Sequence, residues 1–442
     1  MSKPVTFNRL LLALGLLLAS CCPISAQVAG LSAARRILDP QRGLTEAELV
    51  ARALAASPRL AAQRQQIESA RGSVTQARLR ANPSLIVGGM KEFNGEDRRF
   101  SIGGAMPLEL FGRRERRTEV AERSLDASRA AVADFERMLT REVRMRFADA
   151  LAAARNVEFA EQLLQVNREF LKLMEDRVRE GAAAALDADE VRVEVNRIEA
   201  LFIAFQARAE VDILALKESV GASPDEDLRL RGSLEQPPLV LDPSQLVQLA
   251  LAHRPDLAER RASEAMALAN LRQQESQARP DATFSVSYER PNSGFSQRAF
   301  DAAGILRPIR QSFHYAVFGL DFSLPLFNRN QGTIAAAQAD ISSARSKLSA
   351  AELSVRHEVA QNLVRYRAAQ QRAAIYRTGV RDLAARNLEV VRQIYAYGRI
   401  RLLDLIAEQR RYIDIETGFT DVLFDACATR VALEQALGTR LP

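Results

Sequence analysis

The acidic side chains with the clearest chemical potential occupy matched places in this chain of 442 residues. Asp187 ends the stretch "EGAAAALD" that begins at Glu180, and Asp404 ends "YGRIRLLD", which begins at Tyr397. Asp189 and Glu190 stand just after the first. Each group follows a glycine, Gly181 or Gly398, and opens a helical pattern. Carboxylates at such positions answer the positive end of the helix they begin. Catalysis would need more than carboxylates. No zinc-ligand spacing, phosphate-binding loop or nucleophile elbow occurs, and His253, His314 and His357 are scattered. No catalytic residue, metal site or cofactor is therefore expected.

The remaining reactive groups are three cysteines. Cys21 and Cys22 follow Lys3, Arg9 and the apolar run "LLLALGLLLAS". A charged start and a short apolar core read as an export signal over residues 1–26. The run is too short to span a bilayer. "LASC", Leu18 to Cys21, fits the bacterial lipobox pattern, in which Cys21 becomes a lipid-bearing N-terminus. Ordinary cleavage after Ala26 is the other reading, and both take the chain out of the cytoplasm. Cys427 lies alone in a helical pattern and reads as a small buried apolar residue. The net charge of +6 is spread thinly, with no basic tract among aromatics, so no nucleic-acid partner is expected. After residue 26 nothing approaches the ~20 apolar residues of a membrane helix. A membrane crossing would have to be made by strands.

The matched acids belong to a larger duplication. "LVARALAASPRLAAQR" from Leu49 recurs as "LVQLALAHRPDLAERR" from Leu246. "PLELFGRR" from Pro107 answers "PLFNRNQG" from Pro325, and Asp187 answers Asp404. Three anchors in one order give a repeat of about 200 residues, far longer than a solenoid unit. The expected division is a linker over 27–43, a repeat over 44–220, a second linker over 221–241 and a second repeat over 242–442.

Each repeat begins with an expected helix of about 37 residues, from Leu44 and from Asp242, that ends at a proline. Two strands follow, within about 84–109 and 281–324. In the first pair Asn94 and Gly95 mark a hairpin turn, because both tolerate positive φ. The second pair is joined by a long loop, Pro291 to Phe313. Alternation puts Phe284, Val286 and Tyr288 on one face of a strand. It puts Ala316, Phe318, Leu320, Phe322 and Leu324 on one face of the next. A helix of about 68 residues comes next, Arg113 to Glu180 and Asn330 to Tyr397, with apolar residues at coiled-coil spacing. A stutter interrupts the second near Val359 and Leu363. Past Gly181 and Gly398 a helix of about 35 residues closes each repeat.

At 1.5 Å per residue the long helix reaches roughly 100 Å. The two shorter helices are each about half that length, so they stack end to end beside it as one rod. Strands of about 10 residues suit a tilted bilayer crossing. Four strands cannot close a barrel, and an open sheet edge cannot face lipid. Several copies must therefore share one barrel. Three would give twelve strands continued by twelve helical rods.

The chain resembles the TolC family of outer-membrane efflux proteins. The residues that carry this are Pro107, Leu108, Gly112 and Arg113, then Pro325, Leu326 and Phe327 with Asn328 to Gly332, and "YGRIRLLDLIAEQRRY" from Tyr397. Within the family, "PLFNRNQG" is most similar to the branch serving cobalt, zinc and cadmium efflux. The resemblance implies a mainly α fold with a small membrane β part. Long helical hairpins and four β-strands per chain would assemble as a homotrimer, with a twelve-strand barrel and a twelve-rod α-barrel. It further implies a passive duct, without covalent chemistry, in the outer membrane of a Gram-negative bacterium. The duct would be set in outer-membrane lipid and reach through the periplasm. Its tip would dock on a periplasmic adaptor protein and an inner-membrane transporter of the proton-driven RND type.

The resemblance also assigns expected roles. Pro107, Gly112, Pro325, Phe327 and Gly332 would form the junction between barrel and helices. Gly181, Gly398, Arg399 and Arg401 would form the adaptor-contacting turns. Asp404 matches an acidic position that narrows the pore in family members, with Asp187, Asp189 and Glu190 as its counterparts in the first copy. Ala407 stands where a second acid is expected. A ring of carboxylates would favour cations and repel itself as the tip closes.

Drug efflux and protein secretion are alternative cargo roles for the same duct. An adaptor protein of such pumps also has a long helical hairpin, but it lacks duplicated strand pairs. A non-conducting structural coiled coil would explain the heptads, not the paired hairpins or the tip glycines.

Overall fold

Prolines decide how each half of the molecule begins. The structure is a computed structural model that describes residues 37–239 and 242–441. The export signal, Cys21 and Cys22 lie outside the described residues. Helix α1 spans Glu46–Ala56 and α2 spans Pro58–Arg78. Thr45 and Glu48 cap α1 reciprocally. Pro58 takes the first position of α2, where a missing N–H leaves nothing unpaired, and Ser57 caps that helix. The other half repeats the break with α5, Pro243–His253, and α6, Pro255–Gln277. The single opening helix of about 37 residues is thus two helices in each half, since proline disfavours helical backbone at the residue before it.

Strands β1, Ser84–Lys91, and β2, Arg98–Pro107, pair antiparallel from Ser84 opposite Ala105 to Lys91 opposite Arg98. The connecting loop 92–97 is closed by the Glu92 N–H donating to the Asp97 carbonyl at 2.9 Å. Neither Asn94 nor Gly95 takes a positive φ, because a loop of this length does not demand the tight turn expected there. Strand β3, Asp281–Phe300, pairs with β2 on one side. On its other side lie β4, Leu306–Ser312, and β5, Tyr315–Ser323. The expected loop from Pro291 to Phe313 is therefore largely strand. β3 runs on through Pro291, turns near Gly304 at φ 73, and returns as β4. The fourth leg of the sheet comes in two pieces, giving five strands in all.

Helix α3, Arg113–Arg179, is continuous over 67 residues. At ~1.5 Å per residue that is roughly 100 Å. Its counterpart is interrupted: α7 spans Gln331–Ile375, a π-helical segment covers Tyr376–Arg381, and α8 runs Asp382–Ala396. The only local sign of that interruption is Gly379, a poor helix former. After the tip turns come α4, Ala185–Val220, and α9, Leu402–Leu437.

The helices form rods as length required. α3 packs against α2 and α4 of its own half and against α6 and α9 of the other, and α7 packs against α6 and α9. Gly221 ends α4 against Ala56 and Pro58, and Gly438 ends α9 against His253 and Arg254. Each short pair therefore meets at its proline break. α1 packs on both α3 and α4, at this seam. The waist around it buries Leu49, Val143, Leu216, Leu230 and Phe419. Ala148, Ala150, Ala154, Ala160 and Ala209 are fully buried, and side chains this small let the rods lie close.

Candidate functional site

The sheet has two chemically different faces. Antiparallel register aligns Val87, Ile102, Tyr288 and Ala316 across four legs. The next aligned sets are Leu85, Gly104, Val286 and Phe318, then Met106, Phe284 and Leu320. Residues directly opposite share a face. On this face Leu85, Val87, Ile102, Phe284, Val286, Tyr288, Phe318, Leu320 and Phe322 are 39–75% exposed. The reverse face carries Ser101, Gly103, Ser285, Ser287 and Glu289 on the central strands β2 and β3, and Ile86, Met90, Tyr315, Val317, Gly319 and Asp321 on the outer strands β1 and β5. There a Cβ on Gly103 would come within 2.6 Å of the Val286 carbonyl, so close backbone approach requires glycine. A band of exposed large apolar residues, backed on the central strands by small and polar ones, is the pattern of a membrane strand set. β1 and β5 each have one neighbour only, so the sheet has two open edges.

The junction below the sheet is built from left-handed backbone. After Pro107 ends β2, Glu109, Phe111 and Gly112 take φ of 48, 55 and 73. Arg113 holds the bend by donating to the Gln277 and Arg279 carbonyls, and it lies 3.3 Å from Asp281. Arg117 pairs with Glu109 at 2.6 Å. In the other half Asn330, not Gly332, is the left-handed cap, with φ 58. Its amide donates to the Gln274 carbonyl. Gly332 lies inside the first turn of α7, which starts at Gln331. Asparagine tolerates this backbone because its short polar side chain bonds locally. Pro325 follows the end of β5, and Phe327 is 94% exposed beside Leu326.

The two tip turns are copies of one another. Gly181 and Gly398 take φ of 71 and 67. Ala182 N–H donates to the Arg177 carbonyl and Arg399 N–H to the Ile394 carbonyl, the same six-residue closure. The Asp187 carboxylate accepts from the Ala184 N–H at 3.4 Å, and Asp404 accepts from the Arg401 N–H at 3.2 Å. Each matched acid thus closes the first turn of its helix. The Arg401 guanidinium lies 3.3 Å from Asp404. With the backbone N–H, it holds that carboxyl below the usual range. Asp189 pairs with Arg192, which also bonds Glu175. Glu190 is half-buried. Arg399 and Arg401 are exposed, as are Tyr397, Leu186 and Leu403. Ala407 is exposed, and Glu408 pairs with Arg411 at 2.9 Å.

Folding also joins the two tips. Leu402 and Ile406 of α9 pack with Met174, Ala188, Val191 and Val195 of the first hairpin. Two buried polar links cross this seam. Gln409 donates to Asn167 at 2.8 Å, and Glu194 accepts from both Arg197 and Arg410. Burial alone would raise the Glu194 pKa, but the two guanidinium groups outweigh it and hold the carboxyl below its ordinary value. Sequence reasoning missed this link. Glu194 and Arg197 look like an ordinary surface pair on one helix, and nothing local points to Arg410. Cys427 is buried, and burial pushes its thiol up to about 11. Among the described residues no group of three or more His, Cys, Asp or Glu is placed to hold a metal ion.

The family model described as outer membrane efflux protein matches residues 49–222 and 246–439. The cobalt-zinc-cadmium resistance protein CzcC of Cupriavidus metallidurans is 23% identical over 380 residues, covering 86% of each chain. The nickel-cobalt-cadmium resistance protein NccC of Alcaligenes xylosoxydans is 24% identical over 312 residues, 69% of this chain and 66% of that one. Among solved structures, CusC superposes with a TM-score of 0.73 at 17% identity, over 89% of this chain and 92% of its own. The outer membrane protein VceC of Vibrio cholerae gives 0.70 at 21% identity, over 89% and 96%. The matched stretches take in both strand sets, both junctions, both tips and all the long helices; the chain belongs to the outer membrane efflux protein family.

Proposed function

We propose that this chain is the exit duct of a tripartite efflux system, working as a homotrimer and carrying divalent metal cations outward. One observation carries the reading: a sheet with an unpartnered apolar face and two open edges is joined directly to helical rods roughly 100 Å long. Lipid forbids open edges, so neighbouring copies must supply the missing strands. Exposed apolar residues on the rods support the same assembly, among them Val193, Ile203 and Val211 on α4 and Leu353 and Val364 on α7.

In this reading the duct wall is continuous from sheet to tip, and transport through it is passive. Asp404 from three copies forms an acidic ring where the tips converge, with Asp187, Asp189 and Glu190 on the neighbouring hairpin. Such a ring favours cations. The turns at Gly181 and Gly398, with Arg399 and Arg401, present the surface for a periplasmic adaptor. An RND-type pump in the inner membrane supplies the energy. Cys21 carries the lipid anchor. The metal cargo is supported by CzcC and NccC, whose names record cobalt, zinc, nickel and cadmium resistance.

The test is complementation. A Gram-negative host lacking its own metal-efflux duct but retaining adaptor and pump receives this chain. Restored tolerance to cadmium, zinc or cobalt is expected. Restored drug tolerance or protein secretion with unchanged metal sensitivity would contradict the cargo assignment.

A further inference from the structure

Just above the apolar band, where β1 and β2 end at their connecting loop, the same face turns cationic. Lys91 and Arg98 stand directly opposite one another on β1 and β2. Arg98 faces Asn292, and Phe100 faces Arg290, so Arg98 and Arg290 are diagonal neighbours on that face. All three side chains are exposed. Like charges directly opposite one another destabilise a sheet. Nothing in the chain offsets them: among the described residues none of the three has a side-chain hydrogen-bond or ion-pair partner.

The nearby acids are committed elsewhere. Glu289 lies on the reverse face, 3.8 Å from Arg99. Glu96 pairs with Arg310. Asp97 accepts the Gly294 N–H at 2.8 Å, and Glu92 accepts the Asp97 N–H. Asp301 pairs with Arg307 at 2.8 Å. Of the other arginines near this rim, Arg99, Arg307 and Arg310 have acidic partners, while Arg298 lies farther out on β3. Lys91, Arg98 and Arg290 on the apolar side have none among the described residues.

We propose that Lys91, Arg98 and Arg290 form a binding site for the anionic phosphate headgroup of an outer-leaflet lipid, whose acyl chains lie on the apolar band below. Two observations name this occupant. The cluster needs an external anion to relieve its own repulsion. It is also continuous with Phe100, Tyr288 and Val286, so the anion that meets it best carries an apolar tail on the same side. The inference rests on the barrel reading above, which places this face in lipid.

The test uses the full-length assembled protein in nanodiscs of phosphatidylcholine doped with phosphatidic acid. Lipid retained by the protein is counted by native mass spectrometry. The wild type is expected to retain phosphatidic acid in preference to phosphatidylcholine. The triple variant K91Q/R98Q/R290Q should lose that preference by about tenfold or more, on the scale expected for three cations at a membrane surface. R310Q, which breaks a paired arginine, should keep it. Millimolar inorganic phosphate should leave it intact. No preference in the wild type, an undiminished preference in the triple variant, or full displacement by inorganic phosphate would each overturn the proposal. Should the triple variant fail to assemble, a salt titration of the wild type decides. An electrostatic site weakens with salt, and a salt-insensitive preference would sink it. Conductance in pure phosphatidylcholine is independent of this site, so its failure leaves the duct reading standing.

Discussion

Glu194 keeps a buried charge where the two hairpin tips meet because Arg197 and Arg410 both bond it. Its carboxyl is held below its ordinary 4.5. A depressed carboxylate stabilises the fold at pH above its unfolded pKa, and that contribution is lost as pH falls through the folded value. The seam between α4 and α9 should therefore be intact from neutral pH into mild acid and loosen as the pH falls below the ordinary 4.5 toward the lower folded value. Hydrogen exchange of α4 and α9 against pH reads this directly. Glu194→Gln should cost about 1–3 kcal/mol at neutral pH and flatten the acid limb. Equal exchange profiles for variant and wild type would show the link to be inert. Asp404 behaves differently, being exposed and tied to its own Arg401. Asp404→Asn should lower cation preference in reversal-potential measurements while leaving assembly intact. The matched acids were legible because the duplication aligns them. The Glu194 link was not, since its partner Arg410 is distant in sequence and only the packed tips bring it close.

Elements were legible where one physical rule dominates. The tip glycines, the long helices and the strand alternation all follow from period and left-handed turns. Other features depended on tertiary structure. Pro58 and Pro255 recur at matched places in the two repeats, and in the fold they split the opening helices. The run from Pro291 to Phe313 looks like loop because Pro291, Asn292 and Gly294 interrupt its alternation. It forms strand because β4 supplies a ladder for β3. At the second junction Gly332 sits in the first helical turn, and the left-handed backbone falls on Asn330. Two substitutions separate these cases. Gly332→Ala should stabilise by up to ~0.5–1 kcal/mol, since a helical glycine is the weaker helix former. Gly398→Ala should destabilise by about 1–2 kcal/mol, because alanine resists left-handed backbone. Denaturant unfolding in detergent measures both, and a destabilising Gly332→Ala would return the cap to Gly332. The π segment should also exchange its amides faster than the matching part of α3, since its helical bonding is less regular.

The whole molecule is shaped by an incomplete surface. Its rods bury alanine and leucine against one another, while its sheet leaves an apolar face and two edges without partners. A single chain cannot satisfy those edges in lipid, so membrane, oligomer and pore are linked in one requirement. Single-channel recording of the purified full-length protein in planar bilayers, with its mass measured in the same preparation, tests that requirement most directly. A trimer that inserts in single steps and passes current with cation preference is the predicted result. A homogeneous, folded preparation that stays monomeric or inserts without conducting would contradict it.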